Sequence, residues 1–155
     1  MTELMWPWQF DRRVRYLLED NMDEDERIRF AIEGMDGQLI VALDERLLVV
    51  KPGFVREPNF GGVVASAYYS DVDGIEVRGS ATNWAIKIHM STYQIDEDRA
   101  QTYQGNRVMQ AKDFFWSTYP DTIPITRWAL QKYRPYLYMI AELVGEAKET
   151  YSRSQ

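Results

Sequence analysis

Any chemistry in this 155-residue chain must come from few residue types, because it holds one histidine and no cysteine. Without cysteine there is no thiolate nucleophile, no disulfide framework and no cysteine-ligated zinc or iron-sulfur site. The histidine, His89, lies in Trp84-Ala-Ile-Lys-Ile-His-Met90. Period-two alternation sets Trp84, Ile86, Ile88 and Met90 on one strand face and Lys87 with His89 on the other. A single histidine on the wet face of a regular strand supplies neither the geometry of a Ser-His-Asp triad nor the second imidazole of a metal site. No catalytic residue is expected.

The glycine and acid motifs read the same way. Asp71-Val-Asp-Gly74 opens like a calcium loop, but such loops need glycine sixth and here it stands fourth. Gly74 and Gly79 have phosphate-loop spacing, yet Ser80 stands where the lysine belongs and no helix follows. Asp96, Glu97 and Asp98 could hold a divalent cation or act as an acid/base pair. Consecutive acids in a polar loop are more often simply solvated. No metal ligand set and no cofactor is expected.

The run Lys51-Pro-Gly-Phe-Val-Arg-Glu-Pro-Asn-Phe-Gly-Gly62 is the most suggestive surface feature. Its glycines and prolines present Phe54 and Phe60 beside Lys51 and Arg56, and aromatics next to arginine suit a protein interface. These four are the candidate partner-binding residues. In a second reading of equal weight, both phenylalanines fold back as a lid on one end of the domain.

Composition bounds what surrounds these residues. The length fits one domain with a real core. With 45% hydrophobic and 27% charged residues, the balance is globular. No apolar run approaches the roughly 20 residues that span a bilayer, and Met1 to Phe10 does not read as a secretory signal, so the cytoplasm is the expected compartment. A formal charge of -6 argues against a nucleic-acid partner, which needs a concentrated basic face.

Phe10, Val14, Leu17 and Leu18 follow one helical stripe and predict a short amphipathic helix within residues 1-22. The acids Asp20, Asp23, Glu24, Asp25 and Glu26 then predict an exposed connector. From Arg27 the period changes to two, and strands are expected near 27-33, 37-43, 47-51, 65-70, 74-79 and 84-90. Pairing Gly79 with Trp84 sets Val77 opposite Ile86, Ile75 opposite Ile88 and Glu76 opposite Lys87 as an ion pair. A three-residue turn, Asp44 to Arg46, would set Leu43 opposite Leu47 and Val41 opposite Val49. Both faces of that hairpin are apolar, so the second needs a cover: the N-terminal helix or another subunit. Residues 91-106 are polar, with a further strand expected near Arg107 to Met109. Leu130, Tyr133, Leu137, Ile140, Val144 and Ala147 mark a C-terminal helix capped by Thr126, with a kink or restart at Pro135. The domain is expected over 23-149, followed by a polar tail, 150-155.

Gly37-Gln-Leu-Ile-Val-Ala-Leu-Asp-Glu-Arg-Leu-Leu-Val-Val-Lys51 resembles the second and third strands of bacterial pleckstrin-homology-like domains. Ala67-Tyr-Tyr-Ser-Asp-Val-Asp-Gly-Ile-Glu-Val77 is similar to the next segment of that family. Asn83-Trp-Ala-Ile-Lys-Ile88, the Ile123-Pro124 step and Lys132-Tyr-Arg-Pro-Tyr-Leu137 resemble a branch in actinobacteria and their phages. The resemblance covers about residues 27-145. It implies a mainly β fold: a barrel of two antiparallel sheets closed by a C-terminal helix, in a non-enzymatic module that binds a protein partner or copies of itself. The loop that binds phosphoinositides in eukaryotic relatives is here Gly34-Met-Asp-Gly37, with an acid and no base, so no phosphoinositide binding is expected. Two alternatives stand beside this. One is a membrane-surface adaptor using Trp6, Trp8 and Phe10 beside Arg12, Arg13 and Arg15. The other is a small metal-dependent hydrolase using the acids at 96-98.

Overall fold

A computed structural model describes residues 6–52, 62–79, 84–91, 94–96 and 121–153. After a 3-10 turn at Pro7–Gln9, helix α1 spans Arg12–Asn21. Its start is fixed by Asp11, whose carboxylate accepts the Val14 N–H. Strands β1 (Ile28–Glu33), β2 (Leu39–Leu43), β3 (Arg46–Pro52), β4 (Gly62–Tyr68) and β7 (Gln94–Asp96) form one antiparallel sheet in the order β1-β2-β3-β4-β7. Strands β5 (Val72–Gly79), β6 (Trp84–Met90) and β8 (Thr122–Ile125) form a second, in the order β5-β6-β8. Helix α2 spans Arg127–Arg153, and the Thr126 hydroxyl accepts the Ala129 N–H as its cap.

Both sheets and α2 share one core. Phe30, Ile40, Leu47 and Val49 from the first sheet meet Val72, Ile86, Ile88 and Ile123 from the second, and Leu130, Tyr133, Ile140 and Val144 from α2. The sheets do not close into the expected barrel, since no ladder joins them among the described residues. A 3-10 turn at Tyr69–Asp71 redirects the chain between β4 and β5. The apolar stripe of α2 packs against β1 and β5, and Tyr136 stacks on Phe30 with ring centroids 4.9 Å apart.

The second face of β2 and β3 is covered by α1. Val14, Leu17 and Leu18 are buried against Leu39, Val41, Leu43, Leu48 and Val50, with Phe10 packed at the edge. The first sheet is therefore apolar on both faces because each face has a helix or a sheet over it.

The β5–β6 register is the expected one, with Gly79 opposite Trp84, Val77 opposite Ile86, Ile75 opposite Ile88 and Glu76 opposite Lys87. Glycine suits position 79, since a Cβ there would run into the Trp84 indole. The β2–β3 register differs by one residue: Val41 pairs with Leu48 and Ala42 with Leu47, so the turn is the two residues Asp44-Glu45 rather than three. Helix α2 passes through Pro135 without a break, so the expected kink or restart is absent, and it runs on to Arg153. Strands β7 and β8 were not expected, and the strand expected near 107–109 lies outside the described residues.

Candidate interaction surface

Of the four candidate partner-binding residues, Phe54, Arg56 and Phe60 lie outside the described residues. Lys51 departs from the expectation of an exposed loop cation. Strand β3 runs on to Pro52, so Lys51 is a strand residue opposite Val63 and only 6% exposed. It shares the strand face of Leu47 and Val49, which point into the core. Burial pulls its amine down to about 7, with Asp121 acting in the opposite direction.

The acid and glycine motifs have structural places. Asp71 ends the 3-10 turn before β5, and its carbonyl accepts both the N–H and the hydroxyl of Ser91. Gly74 and Gly79 lie within β5, an extended strand. Asp96 closes β7, while Glu97 and Asp98 lie outside the described residues.

The open face of the second sheet carries a polar cluster whose bonds differ from the expected Glu76–Lys87 ion pair. Glu76 stands opposite Lys87 in register, but its carboxylate bonds elsewhere. The Arg78 Nε donates to Glu76 Oε2 at 2.6 Å, and His89 Nε2 donates to Glu76 Oε1 at 2.6 Å. Arg78 lies two residues along the same strand and His89 lies diagonally across the pair, both on the Glu76 face. These two donors, Arg78 first, hold the Glu76 carboxyl down to about 2. Alternation in the sequence already placed Glu76, Lys87 and His89 on one face, and Arg78, two residues from Glu76, falls on it by the same rule. What it lacked was which of three donors would reach the acid.

These residues decorate a sheet edge. Among the described residues strand β5 is hydrogen-bonded to β6 alone, so its outer N–H and C=O groups face away from that ladder. The other outer strands whose burial is described are mostly buried: β1 but for Arg29 and Glu33, β8 but for Pro124. Proline at that position also suits an outer strand, where no ladder bond is asked of its missing N–H. On β5, Val72 is buried and residues 77–79 are exposed, with Val77 at 41%. Helix α2 is tied to the first part of the strand, where Lys148 Nζ stands 3.6 Å from Asp73 Oδ1 and donates to the Ser70 carbonyl. From Val77 to Gly79 the strand is exposed, and among the described residues no strand but β6 pairs with it.

Among the described residues no group of three or more His, Asp or Glu side chains is placed to hold a metal ion, and no helix is long and apolar enough to cross a membrane. No protein-family model and no curated protein matches this chain. Among solved structures, the chain is similar to the crystal structure of a DUF1696 family protein with a pleckstrin-homology domain from Shewanella loihica PV-4, at 15% identity and a TM-score of 0.36, over 72% of this chain and 92% of that one.

Proposed function

We propose that this chain is a non-enzymatic, pleckstrin-homology-like interaction module that accepts an extended segment of a protein partner along the open half of β5. The observation that carries this reading is the outer edge of β5, which pairs with no strand but β6 among the described residues, with Val77 exposed beside it. An added strand would take up the free backbone donors and acceptors, and alternate side chains would set specificity. Glu76 and Arg78 serve the same edge as guards, since charges on an edge strand disfavour indiscriminate pairing. The turn at Gly34–Gly37 carries one acid and no base, which argues against phosphoinositides as the ligand.

The test is capture from the host by wild type and by Val77→Lys, compared by quantitative mass spectrometry. A lysine at this position blunts strand addition while leaving the core alone. Partners retained by wild type and lost by the variant support the reading, and equal capture by both defeats it.

A further inference from the structure

The outer face of α2 carries a second feature, independent of the β5 edge. From Thr122 to Ala141 the chain has three cations, Arg127, Lys132 and Arg134, and no acid, although acids outnumber Lys and Arg 24 to 18 overall. All three are exposed, and none makes an ion pair among the described residues. Trp128 at 79% exposure and Tyr138 at 66% stand on the same side of the helix, about 15 Å apart at its ordinary rise. Trp, Tyr and Arg are the residue types that dominate the centres of protein interfaces, from which Asp and Glu are depleted.

The complementary surface is on this same chain. Glu19, Asp20, Asp23, Glu24 and Asp25 are exposed at the end of α1 and in the connector to β1, and none is in an ion pair among the described residues. The two patches belong to helices packed on different faces of the first sheet, and no ion pair joins them among the described residues. Helix α1 covers the outer face of the first sheet and α2 packs on its inner side, so the sheet lies between them.

We propose that the face of α2 bearing Trp128, Tyr138 and the three cations docks the acidic α1–β1 connector of a second copy of this chain. Two different patches then meet, so the contact is head-to-tail and propagates into a ring or an open chain rather than a closed two-fold dimer. Its strength comes from the aromatics, while charge sets orientation and makes it sensitive to salt.

The experiment is sedimentation velocity on the full chain over a concentration series, at about 50 mM and about 500 mM salt, either side of strong screening. Wild type is compared with Arg127→Glu/Lys132→Glu/Arg134→Glu, with Asp23→Lys/Glu24→Lys/Asp25→Lys, with an equimolar mixture of the two, and with Trp128→Ala/Tyr138→Ala. All altered side chains are exposed, and circular dichroism checks that each variant is folded. Wild type should associate with concentration and less so in high salt. Each charge-reversed variant alone should associate at least about tenfold more weakly, and the mixture should recover association because opposite patches are again available. The aromatic variant should be weakened in both salts. A wild type that stays monomeric, association unaffected by charge reversal, or a mixture that fails to recover overturns the proposal. Failure here leaves capture at the β5 edge untouched, since Val77 belongs to neither patch.

Discussion

The guanidinium of Arg46, the first residue of β3, grips the carboxylate of Glu26, the last acid of the connector: Nη2 donates to Oε1 at 2.6 Å and Nε to Oε2 at 2.8 Å. Arg46 also donates to the Asn21 carbonyl at the end of α1, so one side chain ties helix, connector and sheet together. Each side chain is 17% exposed, which spares the pair most of the screening that weakens surface ion pairs. Arg46→Ala and Glu26→Ala should each lower stability by about 1.5–3 kcal/mol, the range for hydrogen bonds to charged groups. The Arg46 bond holds the Glu26 carboxyl below the usual carboxylate range. Its contribution is therefore present above the unfolded pKa and lost as pH falls. Urea unfolding at neutral pH and near pH 3 checks both, and the deficit of Glu26→Ala should shrink in acid.

Deleting residues 1–21 should uncover the outer face of β2 and β3, including Leu39, Val41, Leu48 and Val50. Loss of several kcal/mol or aggregation is expected from that apolar area. Leu17→Ala should cost about 2–5 kcal/mol by itself. A truncated chain that is monomeric and equally stable would contradict the cover.

On β6, Ile86→Ala and Ile88→Ala should each cost about 2–5 kcal/mol, because both side chains are fully buried. Lys87→Ala between them should be near neutral, since Glu76 is held by Arg78 and His89 instead. Carbon-detected NMR titration should give Glu76 a midpoint near 2 in the wild type, moving up when Arg78 is changed to alanine.

Lys51 makes a prediction of the same sign in a higher pH window. Its folded amine titrates at about 7 because it is buried, against about 10.4 when unfolded. Between those values the unfolded chain holds a proton that the folded chain has released, so stability rises with pH across the window. Lys51→Met should abolish that rise, and thermal melts at pH 7 and pH 9 read it directly.

The legibility of the fold follows from polarity. The β5–β6 register could be read from sequence because a one-residue slip would move Ile86 and Ile88 to the face of Glu76 and Arg78. The β2–β3 register could not, since both faces are apolar and either alignment pairs like with like. That slip reverses which β3 side chains share a face with Ile40 and Ala42, putting Leu47 and Val49 in the inner core. Strand β8 escaped notice because it is four residues long and contains Pro124. The need for a cover was visible because a doubly apolar hairpin demands one, while the choice between α1 and a second subunit was left open. The open β5 edge was not: which strand ends a sheet depends on long-range pairing that periodicity does not encode.

The most direct test of the account is hydrogen exchange on the captured complex against the free protein. Amides in residues 76–79 of β5 should gain protection on binding while those of β1 are unchanged, as strand addition requires. Protection gained elsewhere, with residues 76–79 exchanging as fast in the complex as in the free chain, would contradict it.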